Sequence, residues 1–382
     1  MHLDGWKEWL FQKYLHWKGR PWRIKKFVFS SGSRKGFSAG KREFPKPGHS
    51  FKVAAVQLEA RLFSEPLEYV REMQDKVEVA CREGASLAVF PEYNNLQLLG
   101  MLPGVEEVSG EGVPGLNSGG VTNEAGSENN PVGTARNIAV PAGITVSDIV
   151  QFAGPVTRKI VETTFSALAA RYGIYIMSGS FLLPGEGGMV NRAYLYNPEG
   201  KLVGTQDKVH LTPMEEGWGG MVRGNDFKVF PTSLGNMALP VCMDATYFET
   251  FRILELKGAR LVALPIANPE PYHFWLAMRG IWPRVQESLV YGVKGALVGS
   301  LPGITFTGKA GVFAPLELTP GADGVLDEVE HPDREGMALA TLDMQALEEL
   351  RREHPRRDFN LPLYERYFPG VYRENKQDKS SR

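Results

Sequence analysis

Three residues in this chain have the types and settings to break an acyl bond: Glu92, Lys208 and Cys242. Cys242 ends the apolar run Met237-Ala-Leu-Pro-Val-Cys242 and precedes Asp244-Ala-Thr-Tyr-Phe-Glu-Thr-Phe-Arg-Ile-Leu-Glu-Leu-Lys-Gly258. The first stretch reads as a short buried strand. The second has helical spacing, with Phe248, Phe251, Leu254 and Leu256 inward and Gly258 as its stop. A thiol at such a junction lies near unpaired helix N–H groups, which favour a thiolate. The bland reading is a buried structural cysteine. In Leu87-Ala-Val-Phe-Pro-Glu92-Tyr93, a strand delivers a carboxylate to its end, where it can act as a general base. Alone it would read as a surface glutamate. Gln206-Asp-Lys208-Val-His-Leu-Thr-Pro213 follows a hairpin-like unit, Ala193–Val203, whose turn is Asn197-Pro-Glu-Gly200. Lys208 alone would read as a solvated lysine. A base, a fixed cation and a nucleophile, each closing an apolar strand, are hard to assign to chance.

This order of motifs resembles the nitrilase superfamily of carbon–nitrogen hydrolases. Phe90-Pro91-Glu92 resembles the family's Glu motif, Lys208-Val-His-Leu211 its Lys motif, and Cys242-Met-Asp244 with Glu249 and Arg252 its Cys motif. Gly258–Pro265 is similar to the strand after the nucleophile helix; Arg284-Val-Gln-Glu287 and Phe306–Gly311 are similar to the later helix and hairpin. The resemblance runs from about Phe51 to Leu350.

It implies a four-layer α-β-β-α sandwich. The sequence itself supplies near-continuous apolar strands at Val53–Leu58, Leu87–Phe90, Ile174–Ser180, Ala238–Val241, Leu261–Pro265 and Gly295–Gly299, which want cover on both faces. Helices over 66–83, 157–172, 246–257 and 273–292 can cover the outer faces. Sequence pattern alone also allows a doubly wound single sheet.

The resemblance further implies a Glu92–Lys208–Cys242 triad that hydrolyses an amide or carbamoyl C–N bond of a small molecule through a thioester. A second carboxylate positions substrate; Glu215 and Glu216, in Met214-Glu-Glu-Gly-Trp218, both qualify. Met243 would lend a backbone N–H to the oxyanion. Tyr93, Tyr247, Asn268 and Tyr272 follow the triad strands and are expected at the pocket. Asp244 is expected to cap the nucleophile helix, and Glu249 and Arg252 to form an i,i+3 pair. True nitrilases resemble Cys-Trp-Glu where this chain has Cys242-Met243-Asp244, which favours an amide over a nitrile. Acyl transfer, or a scaffold without turnover, are the other readings of the same fold. The expected assembly is a homo-oligomer.

Composition sets the other expectations. Net charge is −1, and the cysteines are only Cys81 and Cys242. A disulfide framework is therefore not expected, and a reducing cytoplasm suits a reactive thiol. Cys81 falls on the amphipathic stretch Pro66–Gly84, where core packing explains it. The seven histidines form no cluster with metal-ligand spacing. No phosphate-binding glycine loop follows a strand, so neither cofactor nor nucleic acid is expected. No run is apolar enough to span a bilayer, and no secretory leader pattern is present.

The organisation reads as an extension over 1–50, a hydrolase domain over 51–350 and a charged tail over 351–382. A Gly/Asn/Ser/Glu-rich stretch over 104–153 reads as a long loop. It makes the spacing from Glu92 to Lys208 long for the family, at 116 residues. An aromatic stretch over 359–372 is expected to pack on the body or on a partner subunit. The extension carries twelve Lys and Arg against three acidic residues. Its Leu3, Trp6, Leu10, Tyr14 and Trp17 recur at helical spacing, with Lys7, Lys13, Lys18 and Arg20 around them. Two readings are open: a helix packed on the body or a second subunit, or one lying on an anionic membrane surface.

Overall fold

The computed structural model describes residues 5–30, 49–103, 105, 145–354 and 360–379. Among these, the strands are β1 (Ser50–Glu59), β2 (Ala85–Val89), β3 (Tyr175–Gly185), β4 (Gly188–Tyr196), β5 (Leu202–Asp207), β6 (Val229–Phe230), β7 (Met237–Ala238), β8 (Leu261–Ile266), β9 (Tyr291–Leu301), β10 (Ile304–Phe306), β11 (Gly311–Phe313), β12 (Val325–Glu328) and β13 (Gly336–Asp343). The helices are α1 (Gly5–Lys18), α2 (Pro21–Ser30), α3 (Pro66–Arg82), α4 (Val146–Tyr172), α5 (Pro213–Gly217), α6 (Phe248–Leu256), α7 (Phe274–Ala277), α8 (Ile281–Ser288), α9 (Met344–Glu353) and α10 (Leu361–Lys379).

The strands join in the order β5-β4-β3-β2-β1-β9-β8-β7-β6, with β13 also on β1 and β11 on β9. The run from β3 to β7 is parallel throughout. This long sheet curls until β2 and β3 approach β8 across the interior. The two halves thus face each other, close to a barrel, as an α-β-β-α sandwich. Alternation along β1 shows why. Ala54, Val56 and Leu58 bury against α3 and α4, while Val53 and Ala55 point into the space between the halves. The second core continues beneath α6, α8 and α9 through Phe251, Leu254, Ile281, Val285 and Leu347.

Several expected boundaries move. The strand expected over Ala238–Val241 pairs only at Met237–Ala238, since Pro240 has no N–H to give a ladder. The helix expected over 273–292 is two short helices, broken at Gly280, and Tyr291 already begins β9. Helix α4 begins at Val146, inside the stretch read as a loop to 153. Its start is a Thr145/Asp148 capping box, and Pro155 lies within it rather than marking its beginning. Residues 106–144 of that loop lie outside the described residues.

The extension folds onto the body through a different face from the one its spacing suggests. Leu15, Ile24 and Val28 are fully buried in the α3/α4 core, whereas Leu10, Tyr14 and Trp17 are exposed. Leu3 lies outside the described residues. The burying positions are Phe11 and Leu15, one helical turn apart. Phe11 stacks on Phe152 at 6.0 Å between ring centres, and Gln12 donates to the Phe152 carbonyl at 3.1 Å. In the tail, α10 holds its aromatics outward, and Tyr372 donates to Glu249 at 2.5 Å.

Candidate active site

Glu92, Lys208, Cys242 and Asn268 follow β2, β5, β7 and β8 respectively. These four strands run the same way, so their carboxyl ends gather at one end of the sandwich. Glu92 and Lys208 come from one half, and Cys242 and Asn268 from the other. The curl of the sheet brings them together.

Glu92 is fully buried. Its Oε1 accepts from Lys208 Nζ at 2.9 Å and from Asn191 Nδ2 at 2.8 Å; its Oε2 accepts from the Ala267 N–H at 3.0 Å. Burial raises its pKa above the ordinary carboxylate value; the Lys208 charge opposes this and the Glu215 charge adds to it. The approach of β3 to this loop depends on Gly179, at φ +83°, where a Cβ would sit 1.9 Å from the Pro91 carbonyl oxygen.

Lys208 Nζ is held between two carboxylates, Glu92 Oε1 at 2.9 Å and Glu215 Oε2 at 2.8 Å. Burial alone would lower its pKa, but the two anions hold it well above the lysine range. Glu215 is the third residue in a Thr212 capping box at the start of α5. The box turns its carboxylate inward, where it also accepts from Tyr93 Oη at 2.6 Å and Asn191 Nδ2 at 3.0 Å. Burial works against its charge, yet Lys208 and these donors leave its pKa below the ordinary value. Of the two glutamates left open by the sequence, Glu215 therefore lies in the cluster. Glu216 projects to the surface and pairs with Arg223.

Cys242 opens a tight turn over 242–246 at φ +44°, and Tyr93 sits at φ +57°. Left-handed backbone is costly for both residue types, and such strain concentrates at functional sites. The Cys242 thiol lies 3.7 Å from Asn268 Oδ1. Burial pushes its pKa well above the ordinary value and the Glu92 charge pushes further; Lys208 and the Ala267 N–H compensate only in part. The thiolate expected from a helix N-terminus is thus not the resting form: the thiol keeps its proton. Met243 is half-buried beside it.

Asp244 does more than cap. Its buried carboxylate accepts from the Val241, Val209 and His210 N–H groups at 2.9, 3.2 and 2.8 Å, tying the Cys242 turn to the Lys208 loop. His210 stacks on Tyr247 at 4.2 Å between ring centres. Arg252 pairs with Glu255, and Glu249 takes the Tyr372 hydroxyl. Tyr272 lies under the Lys309 ammonium at 5.5 Å.

Two contributors escape the sequence reading. The Ala267 N–H is backbone and has no residue-type signature. Asn191 could have been found as a polar residue placed inward on a strand otherwise apolar on that face; it lies just before the hairpin unit recognised in the sequence. Among the described residues, no group of three or more His, Cys, Asp or Glu side chains could hold a metal ion.

The carbon-nitrogen hydrolase profile matches residues 52–283, more than half of the chain. The chain belongs to the carbon-nitrogen hydrolase family, within the nitrilase superfamily. It is 25% identical over 316 residues to the probable hydrolase YhcX of Bacillus subtilis, covering 81% of this chain and 53% of the relative. It is 32% identical over 165 residues to a nitrilase of Pyrococcus abyssi, covering 42% and 60%. The chain thus spans little more than half the length of these relatives. In three dimensions it resembles the amidase from Nesterenkonia sp. AN1, with a TM-score of 0.55 at 18% identity, over 86% of this chain and 100% of that one. As a likeness of fold, this agrees with the sandwich.

Proposed function

We propose that this carbon-nitrogen hydrolase cleaves the C–N bond of a small amide or carbamoyl compound through a Cys242 thioester, releasing ammonia or an amine. The observation that carries the reading is the buried Lys208 ammonium clamped between Glu92 and Glu215, with the Cys242 thiol facing Glu92. Glu92, with its raised pKa, takes the thiol proton as sulfur attacks the carbonyl carbon, then gives it to the departing nitrogen. Lys208 supplies positive charge near the developing oxyanion, together with a backbone N–H around Met243. Water activated by Glu92 then releases the acid. Glu215, held by Tyr93 and Asn191, positions the substrate nitrogen. The Nesterenkonia amidase, whose active-site cysteine adds the acetamide moiety of fluoroacetamide covalently, supports the reading. So do relatives named omega-amidase, such as that of Danio rerio at 27% identity over 150 residues.

A nitrile is the second reading, favoured by the Pyrococcus relative's name. An ammonia-release screen over ω-amides, N-carbamoyl amino acids, aliphatic amides and nitriles decides between them. Turnover of nitriles alone overturns the amidase reading, and turnover of none of the four classes removes hydrolysis. We also propose a homo-oligomer, supported by the exposed Phe248, Ile253 and Leu256 on α6 and Tyr364, Tyr367 and Phe368 on α10. A monomeric mass by light scattering would remove that part.

A further inference from the structure

Helices α1 and α2 are fixed to the body on one side and bare on the other. The fixed side holds Leu15, Ile24 and Val28 in the core. Lys18 is anchored there too, 2.7 Å from Glu65 and 3.3 Å from the Ser64 carbonyl. The outer side of α1 carries Trp9, Leu10, Lys13, Tyr14 and Trp17, and that of α2 carries Trp22, Lys25, Lys26 and Phe29, all exposed. Trp9, Trp22 and Phe29 are 59%, 58% and 57% exposed, which is costly for rings of this size in water.

Charge on this face has one sign. Lys13 sits over the Trp9 ring at 5.4 Å and Arg23 over the Trp17 ring at 4.4 Å, with Arg20, Lys25 and Lys26 exposed around them. Glu8 is the one acidic residue among the described residues of the two helices, and the nearby Glu65 is occupied by Lys18. An occupant must therefore be anionic and must also accept indole rings.

We propose that the outer face of α1 and α2 docks the protein on an anionic lipid bilayer. Indoles and tyrosine rest at headgroup depth, and lysines meet the phosphates. Interleaving of cations with rings, rather than their segregation to opposite sides, suits shallow seating at the headgroups over deep insertion. A second copy fits poorly: a two-fold contact would set Lys13, Arg20, Lys25 and Lys26 against their own equivalents. Single-stranded nucleic acid would also meet cations and rings, but it is bound along grooves, and this is the outer face of two helices.

The test is co-sedimentation of the full chain with vesicles of phosphatidylcholine plus phosphatidylglycerol, and of phosphatidylcholine alone, at low and high salt. Binding is expected to the first only, weakening with salt. Lys13→Gln/Lys25→Gln/Lys26→Gln is expected to weaken it roughly 100-fold, at about 1 kcal/mol per cation. Trp9→Ala/Trp17→Ala/Trp22→Ala is expected to reduce it as well, and unchanged circular dichroism and unfolding midpoints show both variants folded. The proposal is overturned if the full chain ignores anionic vesicles, or if both variants bind like the parent. It is equally overturned if the substitutions abolish a vesicle-independent self-association, or if single-stranded RNA displaces the vesicles.

Discussion

The side-chain amide of Asn191 donates to Glu92 Oε1 at 2.8 Å. The same nitrogen reaches Glu215 Oε1 at 3.0 Å, so one neutral donor is shared by two buried carboxylates of opposite pKa tendency. A donor to a charged carboxylate lowers its pKa.

Asn191→Leu keeps the volume and removes that donor. Bonds to charged groups are worth about 1.5–3 kcal/mol, so kcat should fall roughly 10- to 100-fold. The acid limb of kcat/KM should also move to higher pH, because the Glu92 anion loses a stabilising partner. A purely structural role would lower the unfolding midpoint and leave the limb in place.

Cys242→Ala should abolish ammonia release while leaving the unfolding midpoint close to the parent's, since little volume is lost. Single-turnover mass analysis of the parent should place an acyl adduct on the Cys242 peptide. Cys81 is buried in the α3 core, with its thiol 3.9 Å from the Tyr172 carbonyl, so it should carry none. An adduct there removes the assignment.

The triad was readable because each of its members ends a strand, and strand ends are marked by apolar runs that stop. Glu215 and Glu216 were inseparable because adjacent helical residues differ only in direction; the Thr212 capping box, a contact rather than a spacing, turns Glu215 inward. The α1 face was misassigned because both of its sides are rich in large apolar residues, so periodicity does not rank Phe11 and Leu15 above Leu10 and Tyr14. The sandwich itself was not written in any one strand. The apolar runs require two covered faces, but the curl that brings β8 opposite β2 and β3 is a property of the whole sheet.

Lys208→Met should cost both activity and stability. It leaves Glu92 and Glu215 buried without their shared cation, a loss of about 3–5 kcal/mol by analogy with broken buried pairs. Lys208→Met/Glu215→Gln removes one of the opposed charges, so thermal unfolding should recover in part while ammonia release does not. Recovery of turnover in the double variant would mean that Lys208 serves only to neutralise the site.

The pH dependence follows from which forms must be present. Glu92 has to be ionised to accept the thiol proton, and its pKa is raised by burial, with the Glu215 charge adding to the effect. Activity should therefore fail, as pH drops, at values above those of an ordinary carboxylate. Lys208 and the Cys242 thiol are both held above their usual ranges, so neither should end activity through neutral and mildly alkaline pH. Glu215→Gln removes the like charge beside Glu92 and leaves the Lys208 cation to Glu92 alone. Both changes stabilise the Glu92 anion, so the acid limb of kcat/KM should move to lower pH even as kcat falls. Glu92→Gln should slow alkylation of Cys242 by iodoacetamide across the same range, because no base remains to take the thiol proton. A limb in Glu215→Gln that stays fixed or moves upward would show that another group, not Glu92, sets the proton balance of the thiol.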